Sequence, residues 1–494
     1  MVKKITIIGG GMAGLSAGIY ARMNGFEAEI IEMHSTAGGQ CTAWDRKGYR
    51  FDYCLHWLVG TRTGPFNDIW KETNVINENV EIIDHEISSK IRTDDGKEFI
   101  FYTNLEKWKN YLLKIAPEDS KGINKMCNDM RKSRFLSPFT DPPGLRNFFQ
   151  MIKLGLSMLP VLILFLKYGS KTCKDYFHSL NLKNHDLLFF LDSLYGSRDF
   201  SALGFIMMFA WFNKKNAGYL VGGSRPLVQR MSEKFTNLGG RLTTGRKVAR
   251  ILTENDITKG VSLSDGTEIY SDYVISAADG HSTIFEMLEG RYINRKILNA
   301  YENWELFTPL VQVSFGINKQ ISSDVPAELW LNRDMLIGMT KTQNGYSIMN
   351  YCFDPEMAPK GKTTMVIRFD SPWELWKDMT PVEYKYEKEK IAKDCTEILL
   401  KHYPEISGNI EAIDVATPLT DVKYTGVWKG AYEGFMPSGK TMMKNFSPIL
   451  PGLKKFYMAG QWLFPGGGLP PAAQSGKWAI QYICKDEGIR FKTC

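Results

Sequence analysis

Apolar residues along this chain fall into three patterns. The first is the short greasy run, as in "ITII" near the N-terminus, "EAEIIE" ending at Glu32 and "YVISAAD" ending at Asp279. These read as strands. The second is alternation, as in "TPLVQVSFGIN" and "TTMVIRFD", which predicts strands with one buried face. The third has helical spacing. Leu227, Met231 and Phe235 share one face of a helix that a Gly239-Gly240 pair would stop. Three further segments, "NFFQMIKLGLSMLPVLILFLKYG", "HDLLFFLDSLYG" and "ALGFIMMFAWFN", are helix-like and unusually apolar. There is no internal repeat and no low-complexity tract.

These patterns alternate in blocks. Strand–glycine–helix units occupy 1–75, 215–290 and 411–494, while greasy helices and alternating strands fill 76–214 and 291–410. A chain of 494 residues exceeds one simple core and implies two or three domains. The prediction is an α/β protein, with one domain assembled from the first set of segments and a mixed α+β domain from the second.

The first unit carries specific chemistry. "ITIIGGGMAGLSAG" runs a strand into a glycine turn and then into a small-residue helix. Gly9 makes the tight turn, Gly11 admits a pyrophosphate, and Gly14 lets helix and strand pack closely. The helix would begin at Met12 and Ala13, where free N–H groups and the helix dipole favour phosphate. A second strand ends at Glu32, eighteen residues beyond Gly14, the usual place for an acid that binds ribose hydroxyls. Gly38 and Gly39 follow closely and would let a second backbone segment pass near a cofactor. An ordinary nicotinamide site does not need them, whereas FAD does.

Composition narrows the class further. Hydrophobic residues make up 44% and charged residues 23%, so disorder is not expected. The net charge of +7 is mild and no dense basic tract occurs, so no nucleic-acid partner is expected. The eight cysteines form no C-x-x-C pair and the seven histidines no H-x-x-x-H, so no metal site is expected. Cysteine usage suits reduced thiols in the cytoplasm, and the glycine loop leaves no room before it for a cleaved signal. The apolar run Leu154 to Leu166 has 13 residues, is interrupted by Pro160 and is bracketed by Lys153 and Lys167. A membrane span needs about 20 apolar residues. Two readings stand: a buried helix, or a helix lying in a membrane face with lysines at the headgroups.

Taken together, these blocks resemble the phytoene desaturase group of FAD-dependent flavoproteins, which includes carotenoid isomerases and retinol saturases and shares its fold with amine oxidases. The resemblance covers nearly the whole chain through three blocks: the N-terminus to Asp52, "GYLVGGSRPLVQRMSEKF" through "YVISAAD", and "FYMAGQWLFPGGGLPPAAQSGKWAIQYIC". It implies a Rossmann-like FAD domain of the glutathione-reductase type and a discontinuous substrate domain with a lipid-lined tunnel. It implies backbone contact with adenine near Val248 and a strand end at Ala277 closing over the dinucleotide. It also implies flavin contacts at Gly460, Gln461, Gly468, Leu469 and Pro470, with the last helix aiming its positive end at the flavin pyrimidine edge. "FIMMFAWF" (Phe205–Phe212) is then either tunnel wall or core.

No second G-x-G-x-x-G and no redox C-x-x-C occur, so no dedicated nicotinamide domain is expected and the redox partner is external. Desaturases of the group show Gly-Gly-Arg where this chain has Gly38-Gly39-Gln40, so a phosphate contact is lost. The run "FDYCLHWLVG" is similar to the retinol saturase pattern, with a His four residues after the Asp. His56 matches it, and Cys54 departs from it, since a Gly is usual there. His56 is thereby a candidate proton donor titrating near neutrality, or alternatively a packed histidine bonded to backbone. Trp57 is a candidate for flanking the substrate, and Asp52 for fixing the loop. The resemblance implies an oxidoreductase acting on a carbon–carbon double bond of an apolar polyene or unsaturated lipid. Saturation or isomerisation is favoured over desaturation, and a flavin- or lipid-binding protein without turnover is the alternative.

Overall fold

The computed structural model describes residues 2–133, 142, 144–145, 152, 155–156, 162–193, 199–332 and 334–493. Five strands form a parallel sheet in the order Arg241–Thr243, Glu27–Ile31, Lys4–Ile8, Tyr273–Ser276 and Phe456–Met458. Helices cover one face of the sheet and the antiparallel strands Val248–Glu254 and Ile257–Leu263 the other, which buries nearly all of the central strands and explains their mostly apolar runs. The register aligns Ile8 with Ile31 and Ser276, and Ser276 with Met458. The carboxyl ends of these strands therefore share one rim, and the glycine loops leave from it.

The first helix, Met12–Met23, packs against the C-terminal helix, Leu469–Asp486, and against Ser224–Asn237. Small residues set these distances. A Cβ at Gly476 would meet the Ala13 carbonyl, and one at Gly18 would meet Ile30 and Phe235. Leu227, Met231 and Phe235 are buried on the inner face of Ser224–Asn237, as their spacing predicts.

The Val248–Leu263 region differs from expectation in one detail. The turn at Asp265-Gly266 is present, with Gly266 at φ +85°. A second tight turn precedes it at Asn255-Asp256, both at positive φ, giving three antiparallel strands. Asn and Asp tolerate that conformation, so glycine was not required there.

A seven-stranded sheet draws its strands from Ile87–Tyr102, Leu310–Asp370 and Ile410–Ala416. Its strands Leu310–Ile317 and Thr363–Asp370 are buried on both faces rather than one. One face packs Val313, Phe315 and Ile367 toward the helix Pro381–His402. The other carries Gln312, Ser314 and Arg368, polar yet buried, which is why the sequence alternates.

Aromatic helices pack beside this sheet. Trp108 stacks on Phe209 at 4.5 Å, and Phe101 and Phe205 complete the group. No helix among the described residues is long and apolar enough to cross a membrane. Most of Leu154–Val161, including Pro160, lies outside the described residues. The described remainder of that run is helical and exposes Leu162, Ile163 and Leu166, which are 45%, 65% and 79% accessible.

Candidate functional site

One cavity of about 1920 Å³ runs from the glycine rim of the parallel sheet to the aromatic helices. Ordinary small-molecule sites are roughly 300–1,000 Å³. This one has room for a dinucleotide and a second ligand.

At the rim, Gly9 takes φ +93° and its N–H donates to the Ile31 carbonyl at 2.8 Å. Gly11 caps the first helix without any side-chain hydrogen bond, and no acid occupies the first turn. The leading amides, at Met12 and Ala13, border the cavity, an arrangement that suits an anion. Gly14 does not line the cavity. A Cβ there would collide with the Gly9 carbonyl, so its role is close packing of helix on turn. Gly38 and Gly39 also border the cavity; the Gly38 N–H donates to the Gly10 carbonyl at 3.0 Å, which brings the second loop onto the first. Glu32 borders the cavity too, and its carboxylate accepts from Gly10 N–H at 2.6 Å and His34 N–H at 2.7 Å.

Val248, Ala277, Gly460, Gln461, Gly468, Leu469 and Pro470 line the cavity as well, Ala277 directly beside the Gly9 turn. Gly460 is held at φ +118° with open space where a Cβ would stand. Its N–H donates to Ser475 Oγ at 2.7 Å, tying the loop to the C-terminal helix. That helix also starts uncapped, at Gly468, with prolines in its first turn. Gln40 donates to Thr425 Oγ1 at 3.1 Å, while its buried Oε1 has no partner. Two uncapped helix ends, open glycines and an orphaned amide oxygen around one cavity fit FAD. Arg246, Lys247 and Asp279 also border this end. Asp279 accepts from Ser282 N–H at 2.8 Å and Trp428 N–H at 3.0 Å, and burial holds its pKa up at about 6.

The helix Ala202–Asn213 gives the cavity an apolar stretch of wall. Met207, Met208, Trp211 and Phe212 of the helix Ala202–Asn213 face the cavity, whereas Phe205, Ile206 and Phe209 lie in the core. Tunnel wall and core thus describe two faces of one helix. Trp57 lines the cavity beside Phe212, ring centroids 5.0 Å apart.

His56 and Arg368 also line the cavity. His56 opens onto the cavity space while protein surrounds it on every side. Arg368 Nη1 donates to His56 Nε2 at 2.7 Å. Its Nε donates to Gln312 Oε1 at 2.7 Å, and Nη2 donates to the Tyr53 carbonyl at 2.7 Å. Enclosure, and then the neighbouring guanidinium, push the His56 pKa well below the usual imidazole range. An imidazole whose pKa burial and a neighbouring cation both lower fits poorly with a proton donor titrating near neutrality. Here it is an acceptor from Arg368 instead.

Asp52 is fully buried and accepts from Cys54 N–H, Leu55 N–H, Ser224 N–H and Ser224 Oγ at 2.6–2.9 Å. It fixes the loop between the two glycine segments. Cys54, where a glycine is usual, has no positive φ, so the departure leaves the backbone unstrained.

Two residues of this region escaped the sequence reading. Arg368 carries a signal in hindsight, a charge inside the apolar run "TTMVIRFD". Glu433 carries none. It lines the cavity, enclosure raises its pKa to about 7, and in sequence it looks like any loop acid.

The family described as flavin containing amine oxidoreductase matches residues 12–484. A chloroplastic prolycopene isomerase from Arabidopsis thaliana is 22% identical, over 99% of this chain and 83% of the relative. A neurosporene-forming phytoene desaturase from Cereibacter sphaeroides is 24% identical, over 94% of this chain and 91% of the relative. Among solved structures, an oxidoreductase from Methanosarcina mazei superposes with a TM-score of 0.63 at 16% identity, covering 97% of this chain and all of that one.

Proposed function

The chain belongs to the flavin containing amine oxidoreductase family, is an FAD-dependent oxidoreductase related to carotenoid desaturases and isomerases, and, we propose, saturates or isomerises a carbon–carbon double bond of a long apolar polyene or unsaturated lipid. The observation that carries this reading is the continuity of one cavity, from the glycine rim to Met207, Met208, Trp211 and Phe212. An apolar chain has no polar handle to be grasped by, and a greasy wall is what would hold it. Bound FAD supplies the two-electron chemistry. The protein's own work is positioning. The uncapped helix at Gly11 binds phosphate, the Gly466–Gly468 turn and the C-terminal helix hold the flavin ring, and Trp57 with Phe212 aligns the substrate.

Gln40 in place of an arginine and His56 four residues beyond Asp52 favour the saturase and isomerase side. The similarity to a phytoene desaturase supports a second reading, in which the same hydride runs from substrate to flavin. The surface formed by Leu162, Ile163 and Leu166 supports membrane contact, from which an apolar substrate would be drawn.

Anaerobic incubation of reduced holoenzyme with retinol, carotenes and unsaturated fatty acids tests the reading through product masses. A gain of two hydrogens means saturation. An unchanged mass with altered retention means isomerisation. If no polyene changes under these conditions, while oxidised enzyme with a quinone removes two hydrogens, the desaturase reading replaces it.

A further inference from the structure

Addition of hydride to one carbon of a double bond leaves its neighbour in need of a proton, and isomerisation through a protonated chain needs one lent and returned. His56 is poorly suited to lend it, because burial, and then the Arg368 guanidinium, push its pKa well below the usual imidazole range. Most carboxyls around the cavity are engaged elsewhere. Asp84 pairs with Arg62 at 2.8 Å and Glu86 with Lys107 at 2.7 Å. Glu32 and Asp279 accept backbone amides. Glu433 differs: among the described residues its carboxyl accepts no hydrogen bond and pairs with no cation.

Its position is fixed rather than loose. The neighbouring Gly434 carbonyl accepts from Phe307 N–H at 3.0 Å, and Met436 N–H donates to the Glu305 carbonyl at 2.8 Å. The Gly466–Gly468 turn folds over it, so closely that a Cβ at Gly467 would strike the Glu433 carbonyl. Glu433 Oε1 lies 3.7 Å from where a Cβ at Gly468 would stand, beside the start of the C-terminal helix. The titratable group facing it is the Cys54 thiol, whose own pKa is raised by Cys41, by burial and by nearby carboxylates. No charged side chain among the described residues offsets the enclosure of Glu433.

Resting on the function proposed above, we infer that Glu433 is the acid–base residue of the reacting cavity, exchanging a proton with the substrate carbon next to the one that exchanges hydride. In the saturating direction the Glu433 O–H bond breaks and a C–H bond forms on one carbon. The neighbouring carbon receives hydride, both electrons coming from the pre-reduced flavin. The carboxylate then recovers its proton from water. In isomerisation the same proton returns to Glu433 and no electrons are consumed. A side chain titrating near neutrality suits either exchange.

The test uses FAD-loaded wild type, Glu433→Gln and Glu433→Asp. Flavin absorbance is titrated from pH 5 to 9, and single turnover of the dithionite-reduced enzyme is followed with retinol and with a cis-carotene. The wild-type spectrum is expected to shift with a midpoint near neutrality. Glu433→Gln is expected to lose that transition and to slow turnover by about 100-fold or more while keeping its FAD. Glu433→Asp is expected to keep a displaced transition and part of the rate. An unaltered transition in Glu433→Gln, or turnover within about twofold of wild type, would overturn the assignment. If reduced wild type converts neither substrate, the underlying function fails, and the titration alone then decides whether Glu433 faces the flavin.

Discussion

Arg368 Nη1 and His56 Nε2 stand 2.7 Å apart, a buried guanidinium donating to an imidazole in the cavity wall. Arg368 is 8% accessible, and its other donors are spent on Gln312 and on the carbonyls of Tyr53 and Asp52. It thereby clamps the loop after Asp52 to the large sheet. Arg368→Leu would leave those acceptors unpaired. The expected loss is roughly 2–4 kcal/mol of stability, read as a lower thermal midpoint of the holoprotein, with Arg368→Lys in between. A midpoint within a degree of wild type for Arg368→Leu would contradict the clamp.

His56 follows from the same contact. A neutral imidazole contributes packing and an acceptor, so His56→Gln should keep turnover within about tenfold and leave its pH profile unchanged. Steady-state rates from pH 5.5 to 8.5 check this. Loss of one limb of the profile would return His56 to proton chemistry.

Gly14 sets how closely the first helix sits on the Gly9 turn. Gly14→Ala would force the two apart and spoil the phosphate cradle. FAD content after purification should fall at least tenfold, measured by absorbance against protein, with the fold retained by circular dichroism. Full FAD content would show that the helix can shift without cost.

Asp421 accepts from Tyr53 Oη at 2.7 Å, and burial holds its pKa up at about 7. An acid whose folded pKa lies above its unfolded value stabilises the fold fully below the unfolded value, near 3.8, and loses that contribution as pH rises through about 7. Relative to Asp421→Asn, wild type should therefore lose stability between pH 5 and 8, by on the order of a few kcal/mol. Thermal midpoints of both proteins across that range test the sign. A difference independent of pH would mean that Asp421 is already ionised at pH 5.

Membrane contact is testable apart from catalysis. Replacing Leu162, Ile163 and Leu166 together by Ser should cut co-sedimentation with anionic vesicles by about tenfold or more. Equal sedimentation of variant and wild type would remove that surface from the reading.

Much of the cofactor end was legible because its demands are local. The Gly9 turn at positive φ favours glycine, the central parallel strands are mostly apolar, and an anion suits an uncapped helix start. Gly9, Gly11, Ile5 and Ile7 declare these needs one residue at a time. The middle of the cavity was not legible, because its chemistry is relational. Arg368 and His56 are 312 positions apart, and only the packing of the large sheet on the Asp52 loop brings them together. Glu433 owes its character to enclosure, which no neighbour in sequence reports. The strand Leu310–Ile317 misled for a related reason. Alternation there marks a buried polar face, with Gln312 and Ser314 inside, rather than a wet one.

In the proposed function, cofactor and apolar substrate share one cavity and meet beside Glu433. The most direct measurement is a structure of the FAD-loaded protein crystallised with a long polyene. The expected result has pyrophosphate against Met12 and Ala13, the flavin ring by Gly467 and Gly468, and the polyene running from Glu433 toward Met207 and Phe212. A flavin ring turned away from Gly468, or a polyene bound outside the cavity, would contradict it.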